Sequence, residues 1–170
     1  HFAYLSEAER ERLFHVAPQS FSRDDDPALL ATALGASLYS PGTRTTLAKD
    51  LARRAAEGVV SSVVCLEDAV ADQDVERALV NVVEQLCELD RGGGDGPLVF
   101  IRVRSPQQIS DVVCGLGEHG GVLSGFVLPK FTAKTGGAFL RVVEEASRST
   151  GRRLLVMPVL ESPELIHRGT

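Results

Sequence analysis

Two rhythms of apolar residues alternate along the chain. Short, near-continuous apolar or β-branched runs occupy residues 37–40, 62–66, 98–103, 125–128 and 154–160. Such runs read as parallel strands buried on both faces. Between them, apolar residues recur every three or four positions. Leu47, Leu51 and Ala55 mark one face of a helix over 45–57, stopped by Gly58. Val75, Leu79, Val82, Val83 and Leu86 mark a second over 74–89, and Phe139, Leu140, Val143 and Ala146 a third. Ser105-Pro106 with Gln108 supplies a cap, a first-turn proline and a capping-box glutamine for another helix. Ser162-Pro163 opens a last one. Strand and helix alternate about five times, which predicts an α/β fold with a parallel sheet and right-handed crossovers.

Two architectures satisfy that alternation: an open doubly wound sheet, or part of a (β/α)8 barrel of the TIM type. A whole barrel takes about 250 residues. The barrel reading therefore places only about the first five strands in these 170 residues. Residues 1–35 read as an N-terminal helical extension, and 36–170 as the N-terminal part of the barrel. Ser6 and Glu9 fit a capping box for a helix reaching about Phe14. Pro18, Asp24-Asp25-Asp26 and Pro27 then break the chain before a short helix over 29–34. The acidic triplet reads as a solvated helix start, because three consecutive side chains do not converge on one ion.

Composition narrows the class. The chain is 44% hydrophobic and 24% charged, ordinary for a globular domain. A net charge of −5 gives no electrostatic reason to expect nucleic acid or an anionic membrane surface as a partner. No apolar run approaches the roughly 20 residues of a membrane span. Cys65, Cys87 and Cys114 are odd in number and lack a Cys-x-x-Cys spacing, so free thiols in a reducing cytoplasm are expected. A start at His1 rather than Met points to a processed or trimmed terminus.

The chemistry gathers at the carboxyl ends of the runs, where α/β folds bind their ligands. The first ends in Pro41-Gly42, with Arg44 just beyond. The second runs through Cys65-Leu66 into Glu67-Asp68. The third delivers Arg102 and Arg104, the fourth Lys130, and the fifth Glu161. Charges that close apolar strands must pair with one another, a metal or an anionic ligand. One or two carboxylates suffice for Mg²⁺, and arginine suits bidentate contact with a carboxylate or phosphate. Salt bridges across a barrel mouth would use the same residue types.

Five motifs in order carry a resemblance: Leu38-Tyr39-Ser40-Pro41-Gly42, Cys65-Leu66-Glu67-Asp68-Ala69-Val70, Ile101-Arg102-Val103, Val127-Leu128-Pro129-Lys130 and Val159-Leu160-Glu161. Together they resemble the citrate lyase β-subunit-like (HpcH/HpaI aldolase) superfamily over about residues 36–165. The long N-terminal lead with His1-Phe2 resembles its branch of carbon–carbon bond lyases found beside tellurium-resistance genes. The resemblance implies a β/α barrel that cleaves or forms C–C bonds in acyl-CoA thioesters or 2-oxo acids with Mg²⁺ or Mn²⁺, so coenzyme A enters as part of a substrate. It implies Glu161 as a metal ligand and Arg102 as the group that holds the substrate carboxylate and stabilises an enolate. It implies that Glu67 and Asp68 act around the metal through water and that Lys130 shapes the same mouth. From their place at the strand ends, Arg44 and Arg104 are expected to join Arg102 and Lys130 in binding substrate. A homo-oligomer is expected. Two departures stand out. The second metal-binding Asp of the family lies after a further strand, beyond residue 170. Arg104 stands where Asn is usual, which points to a different or more anionic substrate.

Other signals are set aside. Gly115-Leu116-Gly117-Glu118-His119-Gly120 matches a dinucleotide pattern but follows a helix and precedes a strand, the wrong order for a phosphate cradle. His15, His119 and His167 have no zinc-ligand spacing and read as surface or capping groups. Cys65 reads as a small core residue rather than a nucleophile, and Arg152-Arg153 as a solvated turn. The expected function is a Mg²⁺-dependent C–C bond lyase or aldolase acting on a carboxylate-bearing substrate through an enolate. Its rivals are a non-catalytic barrel that binds an anionic metabolite or serves as an assembly partner, and a self-contained α/β domain that binds a phosphate ligand. With strand edges unpaired, these 170 residues alone are expected to aggregate, dimerise or depend on further chain.

Overall fold

All five apolar runs form strands in a computed structural model, which describes residues 2, 5–93 and 96–163. They are β1 (Leu38–Pro41), β2 (Ser61–Cys65), β3 (Leu98–Arg102), β4 (Leu123–Leu128) and β5 (Leu155–Pro158). Every pairing is parallel, and the spatial order follows the chain, β1-β2-β3-β4-β5. That order separates the two expected architectures. A doubly wound sheet reverses direction part-way and sends helices to both faces. Here each crossover steps one strand the same way, so the crossover helices share one face. They are α3 (Leu47–Ala56), α4 (Val75–Arg91), α5 (Pro106–Leu116) and α6 (Gly136–Thr150). The winding is that of a TIM barrel, and the described sheet is a five-stranded arc of one, with β1 and β5 at its edges.

The larger apolar core lies between this arc and its helices. Val64, Leu66, Val99, Ile101, Phe126 and Leu128 meet Leu51, Val82, Leu86, Ile109, Val112 and Val143. Alternate residues of the same strands face the concave side, where Val63, Phe100 and Val127 form a smaller cluster. Ahead of the barrel stand α1 (Glu7–Leu13) and α2 (Pro27–Ala33). The Ser6–Glu9 capping box of α1 is formed, and Asp26 caps α2 by accepting from the Ala28 N–H. From α2, Leu30 packs into the concave cluster and is fully buried. The segment before α2 is tied to the amino-terminal ends of the strands. Arg23 donates to the Gly121 carbonyl at 2.6 Å, and Arg153 donates to the carbonyls of Asp24 and Asp25.

Several local expectations change. Arg152 and Arg153 are not a bare turn, since both donate to carbonyls of distant segments. Ser105 makes no side-chain cap bond; Gln108 Oε1 accepts instead from the Arg104 N–H, one residue earlier, at 2.6 Å. A 3-10 run over 117–122 feeds β4, which begins at Leu123, and His119 pairs with Asp90 of α4 at 2.8 Å. The helix expected after Ser162-Pro163 lies outside the described residues, as do His167 and the middle of the 91–96 loop.

Candidate functional site

Parallel register brings the polar residues of distant strands to one level. Cys65 of β2, Arg102 of β3 and Val127 of β4 lie side by side, and Met157 of β5 follows in the next pairing. Since strand side chains alternate, the Arg102 side chain shares a face with the concave cluster and emerges at its carboxyl end. Arg102 is 9% exposed, too buried for an unpaired guanidinium. Its Nη2 lies 2.7 Å from Glu67 Oε2, 3.1 Å from Glu161 Oε1 and 3.5 Å from Asp68 Oδ2. Three carboxylates from two strand ends thus surround one nitrogen. Arg102 Nε is buried and has no hydrogen-bond partner among the described residues.

Lys130 closes the other side of Glu67. Its Nζ donates to Glu67 Oε1 at 2.8 Å, and its backbone N–H donates to Glu161 Oε1 at 3.1 Å. Its φ is +47°, a left-handed conformation uncommon for a residue with a side chain. Backbone outliers of this kind gather at functional sites, where surrounding contacts hold them. Both ends of Lys130 are held by carboxylates of the cluster.

The charges respond accordingly. Burial alone would raise the Glu67 carboxyl, but the Lys130 hydrogen bond and the Arg102 and Lys130 charges outweigh it and leave it below its ordinary range. Asp68 is lowered chiefly by a hydrogen bond from the Cys65 thiol at 3.2 Å, with help from Arg102. Burial pushes the Cys65 thiol up, so it is a donor rather than a thiolate. Burial works against the charge on Arg102, yet the carboxylates around it raise its pKa overall. Cys65 is buried as expected, but its sulfur serves the polar cluster rather than the apolar core.

Two of the expected substrate-binding arginines stand outside the ion-paired cluster. Arg44 is ion-paired with Asp50 in the first turn of α3, and its carbonyl accepts from Asn81. Arg104 turns back onto the loop after β2. Its Nε donates to the Leu66 carbonyl at 2.9 Å, its Nη2 to the carbonyls of Glu67 and Val70, and its Nη1 pairs with Asp72. The structure therefore joins Glu67, Asp68, Arg102, Lys130 and Glu161 directly, with Arg104 one layer behind and Arg44 apart. A cleft of about 560 Å³ opens beside the cluster. Glu67, Asp68, Arg104 and Lys130 supply its polar wall, and Val70 and Phe139 part of its apolar lining. Phe139 was legible only as a core residue of a helix. Asp72 and Thr135, which also line the cleft, had no signal beyond polar loop positions.

A family model described as a C–C bond lyase of the TIM-barrel fold matches residues 28–170. The chain belongs to this family of C–C bond lyases. A search of curated proteins finds no match. The matched span takes in α2 from its second residue, all five strands and every residue of the cluster, so the lyase family and the polar centre coincide on the chain.

Proposed function

We propose that this chain carries the charge-stabilising centre of a lyase that cleaves a carboxylate-bearing substrate, a 2-oxo acid or an acyl-CoA thioester, through an enolate. The observation that carries the reading is the convergence of Glu67, Asp68 and Glu161 on Arg102, at the carboxyl ends of parallel strands and beside an open cleft. TIM-barrel enzymes react at that end. When a C–C bond breaks toward an enolate, the bonding pair becomes negative charge on an oxygen. Preorganised cations aimed at that oxygen are the strongest single means of lowering the barrier. Arg102, at the centre of the cluster, and Lys130, on the cleft wall, supply them. The hydroxyl proton of the departing fragment leaves through water to the exposed, ionised Asp68.

A divalent cation, Mg²⁺ or Mn²⁺, belongs to the same proposal. Three carboxylates face two cationic side chains, which leaves one net negative charge in the cluster. The donors are hard oxygens, and Glu161 and Asp68 are its more exposed carboxylates. Among the described residues no group of three or more His, Cys, Asp or Glu forms a cage, but Mg²⁺ often takes only one or two protein carboxylates with water. Glu161 would hold the ion, with Asp68 reaching it through water, and the ion would supply Lewis-acid polarisation of the substrate carbonyl when bound.

The test uses the full-length protein with 4-hydroxy-2-oxo acids and β-hydroxyacyl thioesters, reading the release of the carbonyl fragment. Cleavage of at least one class, reduced about a hundredfold or more by Arg102→Lys, is the expected result. In calorimetry with pyruvate or oxaloacetate present, Mg²⁺ binding should vanish in Glu161→Ala. Binding of the anions without cleavage of any substrate would overturn the lyase reading in favour of a non-catalytic anion binder.

A further inference from the structure

Arg104 was expected to reach the substrate, yet its side-chain donors face the protein. The residues they engage are consecutive with the catalytic cluster: the carbonyls of Leu66 and Glu67 flank the Glu67 Cα, and Val70 and Asp72 lie at the far side of the same loop. The other ties of the loop are made by its side chains: Glu67 to Arg102 and Lys130, Asp68 to Cys65 and Arg102, and the buried Val70 against the core. Within the loop, Val70 N–H reaches the Glu67 carbonyl at 3.3 Å, and Asp68 N–H reaches Glu67 Oε2 at 3.1 Å. Arg104 is itself anchored, since its N–H is held by the buried Gln108 side chain in the first turn of α5. A rigid helix thereby fixes an arginine, and the arginine fixes the two peptide units from which Glu67 projects.

We propose that Arg104 is a positioning residue that holds the Glu67–Asp72 loop so that Glu67 sits between Arg102 and Lys130. The requirement is for a fork. A guanidinium can span several acceptors in fixed directions, whereas a lysine ammonium is a point charge on a flexible stem. Charge alone does not replace it. The inference rests on the reading of Arg102 and Glu67 as the reacting centre, but its first test does not depend on activity.

Hydrogen–deuterium exchange on the full-length protein compares wild type with Arg104→Lys and Arg104→Gln. Amides of the Glu67–Asp72 loop should exchange about tenfold faster or more in both variants, with β3 and β4 protected as in wild type. Unchanged protection of the loop in Arg104→Lys would overturn the proposal, because charge without the fork would then suffice. A uniform loss of protection over the whole sheet would also overturn it, by reducing Arg104 to a general stabiliser. With a cleaved substrate in hand, kcat should fall about tenfold in Arg104→Lys while KM stays within about twofold. A rise in KM at unchanged kcat would instead put Arg104 on the substrate. Were the wild-type protein inactive on every substrate, the lyase proposal would fail, while the exchange result would still decide the role of Arg104.

Discussion

Single residues here divide into those whose charge is settled by a neighbour in sequence and those settled by a distant strand. Asp50 is the first kind. Hydrogen bonds from Arg44 and Thr46 lower its carboxyl from 3.8 to about 2, and its place in the first turn of α3 favours the anion further. A depressed folded pKa gives stability that is complete above the unfolded value and is lost as pH falls through the folded one. Urea denaturation should therefore find wild type more stable than Asp50→Asn well above pH 3.8, with the difference disappearing by about pH 2. A difference independent of pH would show that the ion pair is not its source. Glu67 is the second kind. Its partners Arg102 and Lys130 are 35 and 63 residues away, and only the parallel register introduces them.

At the scale of elements, two contacts decide how the arc is built. Gly125 lies where β4 passes β5 so closely that an added Cβ would sit 2.0 Å from the Leu155 carbonyl oxygen. Backbone cannot yield as a side-chain tip can, so Gly125→Ala should destabilise the protein by about 3 kcal/mol. Chemical denaturation measures this, and a cost near zero would mean that β5 shifts freely. Leu30 is the other contact. It anchors α2 on the concave face, against Val63, Phe100 and Val127. Leu30→Ala should cost about 2–4 kcal/mol and release α2 to protease while the helices outside the sheet remain protected. Equal proteolysis of α2 in wild type and variant would show that Leu30 does not hold it.

At the scale of the whole molecule, β1 and β5 are the edges of the arc among the described residues, and Leu30 of α2 packs against its concave face. Tyr39 on β1 is 52% exposed, and Leu38 and Val156 on the edge strands are also exposed. Open parallel edges beside apolar surface invite pairing with another chain. Expressed alone, residues 1–170 should show a mass in solution that rises with concentration by analytical ultracentrifugation. A sharp, concentration-independent melt of a monomer would contradict this. No described helix is long and apolar enough to cross a membrane.

The order of strands and helices was legible in the chain itself, because buried parallel strands and amphipathic helices leave different apolar periods that need no tertiary information. The polar strand ends were legible too. Charges that close apolar runs are costly to bury alone, so Glu67, Arg102, Lys130 and Glu161 announced themselves before their partners were known. Their grouping was not legible: which carboxylate meets which cation depends on register and on loop paths, and these exist only once the sheet has assembled. Arg104 makes the difference plain. Its sequence neighbour Arg102 shares its charge and lies two residues away, yet one guanidinium enters the cluster and the other turns back onto the loop carbonyls. Alternation and spacing settled that α/β units would repeat; the one-directional winding of the sheet, a property of packing between distant segments, decided that they form the arc of a barrel.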